Sequence, residues 1–213
     1  MPTAPKRRCG PSTRSWRAAE MRRVCVFCGS NTGNRPEYAQ SARVLGQAIA
    51  AAGLGLVYGG GKVGLMGVVA DAAMTAGGHV TGIIPEELMR WEVGHHGLSE
   101  LRVVGTMHER KAAMAELSDG FIALAGGIGT LEEMFEIWTW GQLGLHGKPL
   151  GILDTAGYYH HLHAFLDHMA AEGFVKPAHR DMAMVDSDPA RLLARMAQYS
   201  PPATIRVIEQ TNL

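Results

Sequence analysis

Three glycine-rich segments follow apolar runs in the sequence, and each precedes a stretch with helical spacing. They are Cys28-Gly29-Ser30, Tyr58-Gly59-Gly60-Gly61 and Ala125-Gly126-Gly127-Ile128-Gly129-Thr130. Glycine allows successive backbone N–H groups to turn toward one point, and the following helix adds unpaired N–H groups and a positive dipole end. A single segment of this kind could equally be a tight turn. Three of them together favour a phosphate-binding site.

The standard phosphate-binding motifs do not fit these segments. GGGKVG at 59–64 has Val63 where a P-loop requires serine or threonine, and it lacks the GxxxxGK spacing. GIGTLE at 127–132 has Glu132 in place of the third glycine of a dinucleotide motif, and it follows a late strand. The sequence therefore disfavours both Walker-type ATP hydrolysis and dinucleotide binding.

Thr130 and Glu133 stand at the start of a predicted helix and allow two interpretations. A threonine followed three residues later by a glutamate is a capping box, in which Glu133 would only satisfy a backbone amide. Alternatively, the glycine loop binds a phosphate while the Glu133 carboxylate acts on the sugar attached to it. The residues of this segment leave both interpretations open.

Arg110 is predicted on the apolar face of a helix, because it shares one stripe with Met114 and Leu117. An isolated buried charge is very costly, so an inward-facing arginine must be paired or must bind an anion. The alternatives are a structural ion pair with a core carboxylate and an anion-binding role. The pattern alone predicts that the neighbouring Lys111 is solvated.

Several other groups have simpler interpretations. Four histidines, at 160, 161, 163 and 168, match no metal-ligand spacing and predict a solvated face, and no metal site is predicted. His95-His96 falls in a loop that could cover a site, without a specific role. Cys25 and Cys28 should lie on opposite faces of a strand, as buried thiols in a reducing compartment. Trp138 and Trp140 could fill the core or, as we favour, line a dimer interface.

The elements that must position these groups alternate between apolar runs and helical stretches. Runs such as VCVFC and FIALA are apolar throughout, as expected for strands covered on both faces of a parallel sheet. The prediction is a single α/β domain with a Rossmann-like, doubly wound parallel sheet, whose ligands bind beyond the carboxyl ends of the strands. The predicted strands are 23–28, 54–58, 79–84, 100–104, 120–125, 149–153 and 182–185, and the predicted helices are 37–52, 64–76, 108–118, 130–144, 158–172 and one after Asp188.

Composition narrows the classes of partner. The 213 residues carry 20 basic and 20 acidic side chains, so no overall charge attracts nucleic acid or an anionic membrane. No apolar stretch reaches the ~18–20 residues that cross a bilayer, and we expect a cytoplasmic protein that binds a small molecule. Residues 1–20 are predicted to be a disordered arm, with a transit peptide as the alternative. Residues 21–198 should form the domain and 199–213 a peripheral tail.

Taken together, the motifs resemble those of the LOG (Lonely Guy) family, cytokinin-activating phosphoribohydrolases that are often mislabelled as lysine decarboxylases. The resemblance spans about 24–184. It depends on FCGS at 27–30, YGGGKVGLMG at 58–67, MHERKAAM at 107–114 and AGGIGTLEEMFE at 125–136. Ala125 replaces the proline of the family pattern PGGxGTxxE, and we expect this change to affect loop stiffness more than chemistry.

The resemblance implies a homodimeric enzyme without a cofactor. It would hydrolyse the N-glycosidic bond of N6-substituted adenosine 5′-monophosphates, and of AMP, to free base and ribose 5-phosphate. Apolar residues such as Met89, Trp91 and Met107, with side chains of the other protomer, would form the base pocket. By motif position, the catalytic pair is Arg110 and Glu133, and Gly127, Gly129 and Thr130 hold the 5′-phosphate. Ser30, Gly60 and Lys111 lie nearby in the nucleotide site, and Gly126 is also substrate-binding.

Other functions remain open on the sequence. A non-catalytic module with this fold could carry a nucleotide or the molybdenum cofactor, and a hydrolase could act on AMP outside hormone metabolism. The presence of both Arg110 and Glu133 favours hydrolysis. A pyridoxal-phosphate decarboxylase is disfavoured, because Lys62, Lys111 and Lys148 lie in no context expected of a Schiff-base lysine.

Overall fold

The computed structural model describes residues 21–91 and 94–202, without the side chain of Trp91. The predicted arm at 1–20 and most of the predicted tail lie outside the described residues. The strands are β1 Arg23–Phe27, β2 Gly55–Tyr58, β3 Val80–Pro85, β4 Glu100–Val104, β5 Gly120–Ala123, β6 Leu150–Leu153 and β7 Ala183–Asp186. The helices are α1 Pro36–Ala51, α2 Gly64–Thr75, α3 Glu86–Trp91, α4 Met107–Leu117, α5 Ile128–Gln142, α6 His160–Ala171, α7 Pro177–Arg180 and α8 Pro189–Ala197.

The strands form one parallel sheet in the order β4-β3-β2-β1-β5-β6-β7. The order reverses between β1 and β5, which pair in register so that Phe27 lies beside Ala123. The loops that follow these two strands therefore leave the sheet side by side, and the Gly29 N–H donates to the Ala125 carbonyl at 3.0 Å. The predicted doubly wound fold is confirmed, and its switch point lies between the first and third glycine segments.

Helices cover the two faces of the sheet and form two separate cores. One core contains Cys28 and Leu45 of α1, and the other contains Cys25 and Met134 of α5. The two thiols are thus buried on opposite faces, as predicted, and burial raises the pKa of each thiol. Among the described helices, none is long and apolar enough to span a bilayer.

The structure differs from the predicted elements mainly at ends and in short helices. Helices α3 and α7 were not predicted, because 6 and 4 residues are too few to show a helical period. β4 lies at the edge of the sheet and leaves Val103 50% exposed, so it is not covered on both faces. β5 ends at Ala123, so Leu124 and Ala125 already belong to the loop.

Candidate active site

The start of α5 is the structural centre of the site. Gly127 is the N-cap residue and makes no side-chain capping bond, while Thr130 occupies the third helical position. Thr130 is buried, and its Oγ1 lies where a Cβ on Gly126 would be. The capping-box interpretation is therefore wrong, because the helix begins before Thr130 and Glu133 lies beyond the unpaired first-turn amides.

The first turn of α5 opens onto a cavity of about 350 Å³. Gly127 and Gly129 have no atom within 4 Å of the position a Cβ would occupy, and both line this cavity. The first N–H groups of a helix have no partner within the helix and carry the positive end of its dipole. This turn is therefore a suitable binding site for a phosphate group.

The loop after β1 forms the facing wall of the cavity. Ser30 is exposed there and lines the cavity together with Gly29. The Gly29 carbonyl accepts a hydrogen bond from the N–H of Leu65, at 3.0 Å. The loop is therefore anchored to the first turn of α2 as well as to the β5 loop.

The second glycine segment, with Gly64 at the start of α2, packs against the neighbouring backbone, and neither lines the cavity. Gly64 has a φ of +61°, and a Cβ there would overlap the backbone of Ser30 and Asn31. Gly60 has a φ of +75°, lies against Ile83 and Ile84, and does not line the cavity. These glycines permit close backbone packing, and the role of Gly60 in the nucleotide site stays a prediction.

Arg110 reaches the cavity from α4 and is only 7% exposed. Its Nε donates to the Ile83 carbonyl at 3.1 Å, and its Nη2 donates to the Gly59 carbonyl at 3.0 Å. Within the described residues no ion pair joins Arg110 to a carboxylate, so the structural ion-pair alternative is not supported. Neutral carbonyls orient the guanidinium without cancelling its charge, which leaves it able to bind an anionic or hydroxylated ligand.

Glu133 lines the same cavity from the second turn of α5. Burial raises the pKa of its carboxyl group to about 7, and the neighbouring Glu132 and Glu136 charges also raise it. Arg110 and Lys111 lower the pKa of Glu133, but they do not offset the effect of burial. A carboxyl group that titrates near neutral pH is suited to proton transfer.

Lys111 is ion-paired, whereas the sequence pattern predicted a solvated side chain. Its Nζ lies 2.5 Å from Oε1 of Glu132 and 3.0 Å from Oε2 of Glu136, and its side chain is 13% exposed. It does not line the cavity. These contacts join α4 to α5 beside Glu133, and the place of Lys111 in the nucleotide site stays a prediction.

Two tyrosines that the sequence analysis missed hold the β5–α5 loop. Tyr158 donates to the Gly126 carbonyl and Tyr159 donates to the Leu124 carbonyl, each at 2.6 Å. Tyr158 also lines a second cavity of about 210 Å³, which shares Gly127 with the first. The signal in the sequence was their position in the loop that follows the carboxyl end of β6. These bonds stiffen the loop in which Ala125 replaces the family's proline.

The apolar wall of the larger cavity only partly matches the predicted base pocket. Met107 lines it as predicted, together with Met66, Leu88 and Ile128. Met89 does not line it, and the Trp91 side chain lies outside the described residues. A still larger cavity, of about 750 Å³, lies at the opposite edge of the sheet, far from these loops.

The remaining predicted groups lie outside the site. His160, His161 and His168 are exposed as predicted, but His163 is largely buried, and burial lowers its pKa. The prediction of a solvated face is wrong at that position. Trp138 packs in the core and donates to the His179 carbonyl at 2.9 Å, so at 7% exposure it does not provide an interface.

Fold and site together define a class of protein. This is a Rossmann-like protein with an open helix start at the switch point, beside a buried guanidinium and a carboxyl group of raised pKa. Residues 66–196 match a family described as "Possible lysine decarboxylase". The described lysines do not suit that chemistry, since none of them lines either of the two cavities at this site.

Curated relatives identify the family. A probable cytokinin riboside 5′-monophosphate phosphoribohydrolase of Oryza sativa subsp. japonica is 50% identical over 183 residues, which cover 86% of this chain and 81% of that protein. A cytokinin riboside 5′-monophosphate phosphoribohydrolase of Arabidopsis thaliana is 45% identical over 187 residues, covering 88% and 87%. The chain belongs to the LOG family.

Solved structures confirm the fold. A molybdenum cofactor binding protein from Rippkaea orientalis superimposes with a TM-score of 0.63 at 24% identity, covering 83% of this chain and 95% of that one. The molybdenum cofactor carrier protein of Chlamydomonas reinhardtii gives a TM-score of 0.63 at 21% identity, covering 84% and 98%.

Proposed function

We propose that this protein hydrolyses the N-glycosidic bond of N6-substituted adenosine 5′-monophosphates, and of AMP, releasing the free base and ribose 5-phosphate. One observation carries the proposal: Arg110 and Glu133 line the same cavity as the open first turn of α5. The names of the curated relatives support the same reaction.

In this proposal each part of the substrate has a counterpart in the site. The 5′-phosphate binds the amides at Gly127–Thr130, which places the ribose next to Arg110 and Glu133. The bond between C1′ and the base breaks, its electron pair goes to the base, which takes up a proton from solvent, and a water oxygen bonds to C1′. The ionised Glu133 stabilises the positive charge that develops on the sugar and accepts a proton from the water. Arg110 aligns the ribose through a forked hydrogen bond.

A carrier function is the second candidate. The molybdenum cofactor proteins share the fold at less than 25% identity, which supports a common architecture and no common ligand. A carrier would need neither a buried guanidinium nor a carboxyl group of raised pKa beside the phosphate site. These two groups favour hydrolysis.

The direct test uses three substrates with the purified protein: isopentenyladenosine 5′-monophosphate, its riboside without phosphate, and AMP. Free base and ribose 5-phosphate are followed by chromatography. We expect base from both monophosphates and none from the riboside, because the phosphate contributes the binding energy that aligns the sugar. Intact recovery of all three from folded protein would contradict hydrolysis and favour the carrier.

The pH dependence of kcat tests the protonation state of Glu133. The pKa of Glu133 is about 7 in the substrate-free protein, and the bound phosphate should hold it at or above that value in the complex that kcat reports. Because the ionised form acts, kcat should rise about tenfold per pH unit below pH 7 and level off only above the pKa in the complex. The parameter to measure is kcat, since kcat/KM also reports the substrate phosphate, whose second pKa is about 6. A kcat that falls between pH 6 and pH 8 would contradict the role of the ionised carboxylate.

Two further proposals follow from the family and from the surface. We propose a homodimer, supported by large apolar side chains that are exposed on the described surface, such as Leu145 at 67% and Phe174 at 83%. We also propose a cytoplasmic location, supported by the unpaired thiols of Cys25 and Cys28, which suit a reducing compartment.

A further inference from the structure

Three polar side chains form a hydrogen-bonded series next to the turn at residues 59–61, whose Gly59 carbonyl accepts from Arg110. The Tyr58 hydroxyl, at the end of β2, is 3.1 Å from Nδ1 of His95. Nε2 of His95 is 3.1 Å from Oδ1 of Asp71 on α2. Tyr58 and His95 are buried, whereas the Asp71 side chain is 61% exposed. This series of hydrogen bonds thus links the buried end of β2 to the protein surface.

The chemistry of the three groups determines where the protons lie. A carboxylate only accepts hydrogen bonds, so Nε2 of His95 carries a proton and donates it to Asp71. In the neutral ring, Nδ1 then accepts, and the Tyr58 hydroxyl donates to it. Burial raises the pKa of Tyr58, which keeps the hydroxyl protonated. Each of the three groups therefore has a partner that fixes its orientation.

The backbone of His95 holds the same turn from the other side. The His95 N–H donates to the Gly60 carbonyl at 3.1 Å, and Gly94 pairs with Gly61 in an antiparallel bridge. Gly60 has a φ of +75°, a conformation that glycine adopts readily and that other residues rarely adopt. The His95 backbone thus bonds to the turn at residues 59–61 directly, and the His95 ring bonds to Tyr58, the residue that precedes the turn.

That turn supplies one of the two carbonyls that orient the guanidinium of Arg110. The Gly59 carbonyl accepts from Nη2, and the Arg110 side chain passes through the space that a Cβ at Gly59 would occupy. A shift of the turn would therefore move the guanidinium relative to Glu133. Displacements of about 1 Å at a catalytic group can cost about a hundredfold in rate.

We propose that His95 is a positioning residue for Arg110, acting through Tyr58 and the turn at residues 59–61. The kinetic consequence rests on the proposed hydrolysis, whereas the structural consequence does not. His95 itself lines neither cavity at the site. Its effect should therefore appear in the order of the Arg110 side chain and in kcat.

The test compares His95→Gln with His179→Gln. Glutamine at 95 can still reach Asp71 with its amide but loses the Tyr58 hydroxyl. His179 is equally buried, at 5% exposure, and lies on α7 away from the cavity, so it controls for the cost of replacing a buried histidine. The first readout is the exchange rate of the Arg110 Nε–H by ¹⁵N NMR, with its signal assigned by its absence in Arg110→Lys.

We expect exchange of the Arg110 Nε–H to be at least about tenfold faster in His95→Gln and unchanged in His179→Gln, because only the first variant loosens the turn beside Ile83 and Gly59. The second readout is steady-state kinetics with the monophosphate. There kcat should fall about tenfold in His95→Gln, with KM within about threefold of the wild type, since the phosphate binds at α5. Tyr58→Phe should shift both readouts in the same direction, and less.

A purely structural role for His95 would give a different result. Both histidine variants would then lower the melting temperature, with the Arg110 Nε–H exchange and kcat unchanged, and the proposal would be overturned. If the wild type hydrolyses no monophosphate, the proposed function fails, but the NMR comparison still decides whether His95 positions Arg110.

Discussion

Replacing Glu133 by glutamine should lower kcat by about 10²- to 10⁴-fold while the protein stays folded. Glutamine has nearly the same shape, so the packing at the second turn of α5 is kept. It cannot ionise, and it therefore neither stabilises positive charge on the sugar nor accepts a proton from water. Single-turnover measurement with isopentenyladenosine 5′-monophosphate checks the result, because it isolates the chemical step.

The same substitution should increase stability at neutral and alkaline pH. The folded state raises the pKa of Glu133 from 4.5 to about 7, so the folded protein holds a proton that the unfolded chain releases in this range. The free energy of unfolding therefore falls as pH rises from about 4.5 to 7, by up to about 3 kcal/mol. Glu133→Gln removes this cost. Its gain in stability should be small at pH 5 and largest at pH 8.

Urea unfolding at pH 5 and pH 8 measures this difference. Glu116→Gln on the exposed side of α4 is the matched control, since it removes one carboxylate far from the site and should change neither kcat nor the pH dependence of stability. Near-normal turnover in Glu133→Gln would overturn the catalytic assignment. A variant that loses turnover without gaining stability at pH 8 would contradict the raised pKa.

Gly59→Ala should reduce kcat/KM by about a hundredfold, although Gly59 is not expected to contact the substrate. A Cβ at this position would overlap Nη2 of Arg110, so the guanidinium must leave its bond to the Gly59 carbonyl. Overpacking of this kind also costs about 1–3 kcal/mol of stability. The variant should thus lose activity as an Arg110 variant would, while the protein stays folded.

The control for Gly59→Ala is Gly97→Ala, where a new Cβ has no atom within 4 Å. That variant should keep wild-type kcat/KM and melting temperature. Combining Gly59→Ala with Arg110→Ala gives the sharper check, because the two losses should not add if Gly59 acts only through Arg110. Additive losses, or an unimpaired Gly59→Ala, would contradict this account.

Local patterns along the chain were enough to predict the fold class and most of the elements that carry the site. Apolar runs separated by helical stretches leave few arrangements other than a doubly wound parallel sheet, because chain connectivity and handedness exclude the rest. Arg110 was recognised as inward-facing from its stripe with Met114, which is local helical geometry. The three glycine segments marked the carboxyl edge of the sheet for the same local reason.

The partner of each of these groups depends on contacts between segments that lie far apart in the chain. The choice between a cap and a catalytic role for Glu133 depended on where α5 begins, and the contact between Thr130 and Gly126 is not visible in a local pattern. Lys111 is paired by residues about twenty positions away on another helix, and His95 contacts Tyr58 and Asp71 from a different loop. Such contacts join segments that are distant in the chain. They form when helices and loops pack together on the sheet, and no periodicity in the sequence predicts them.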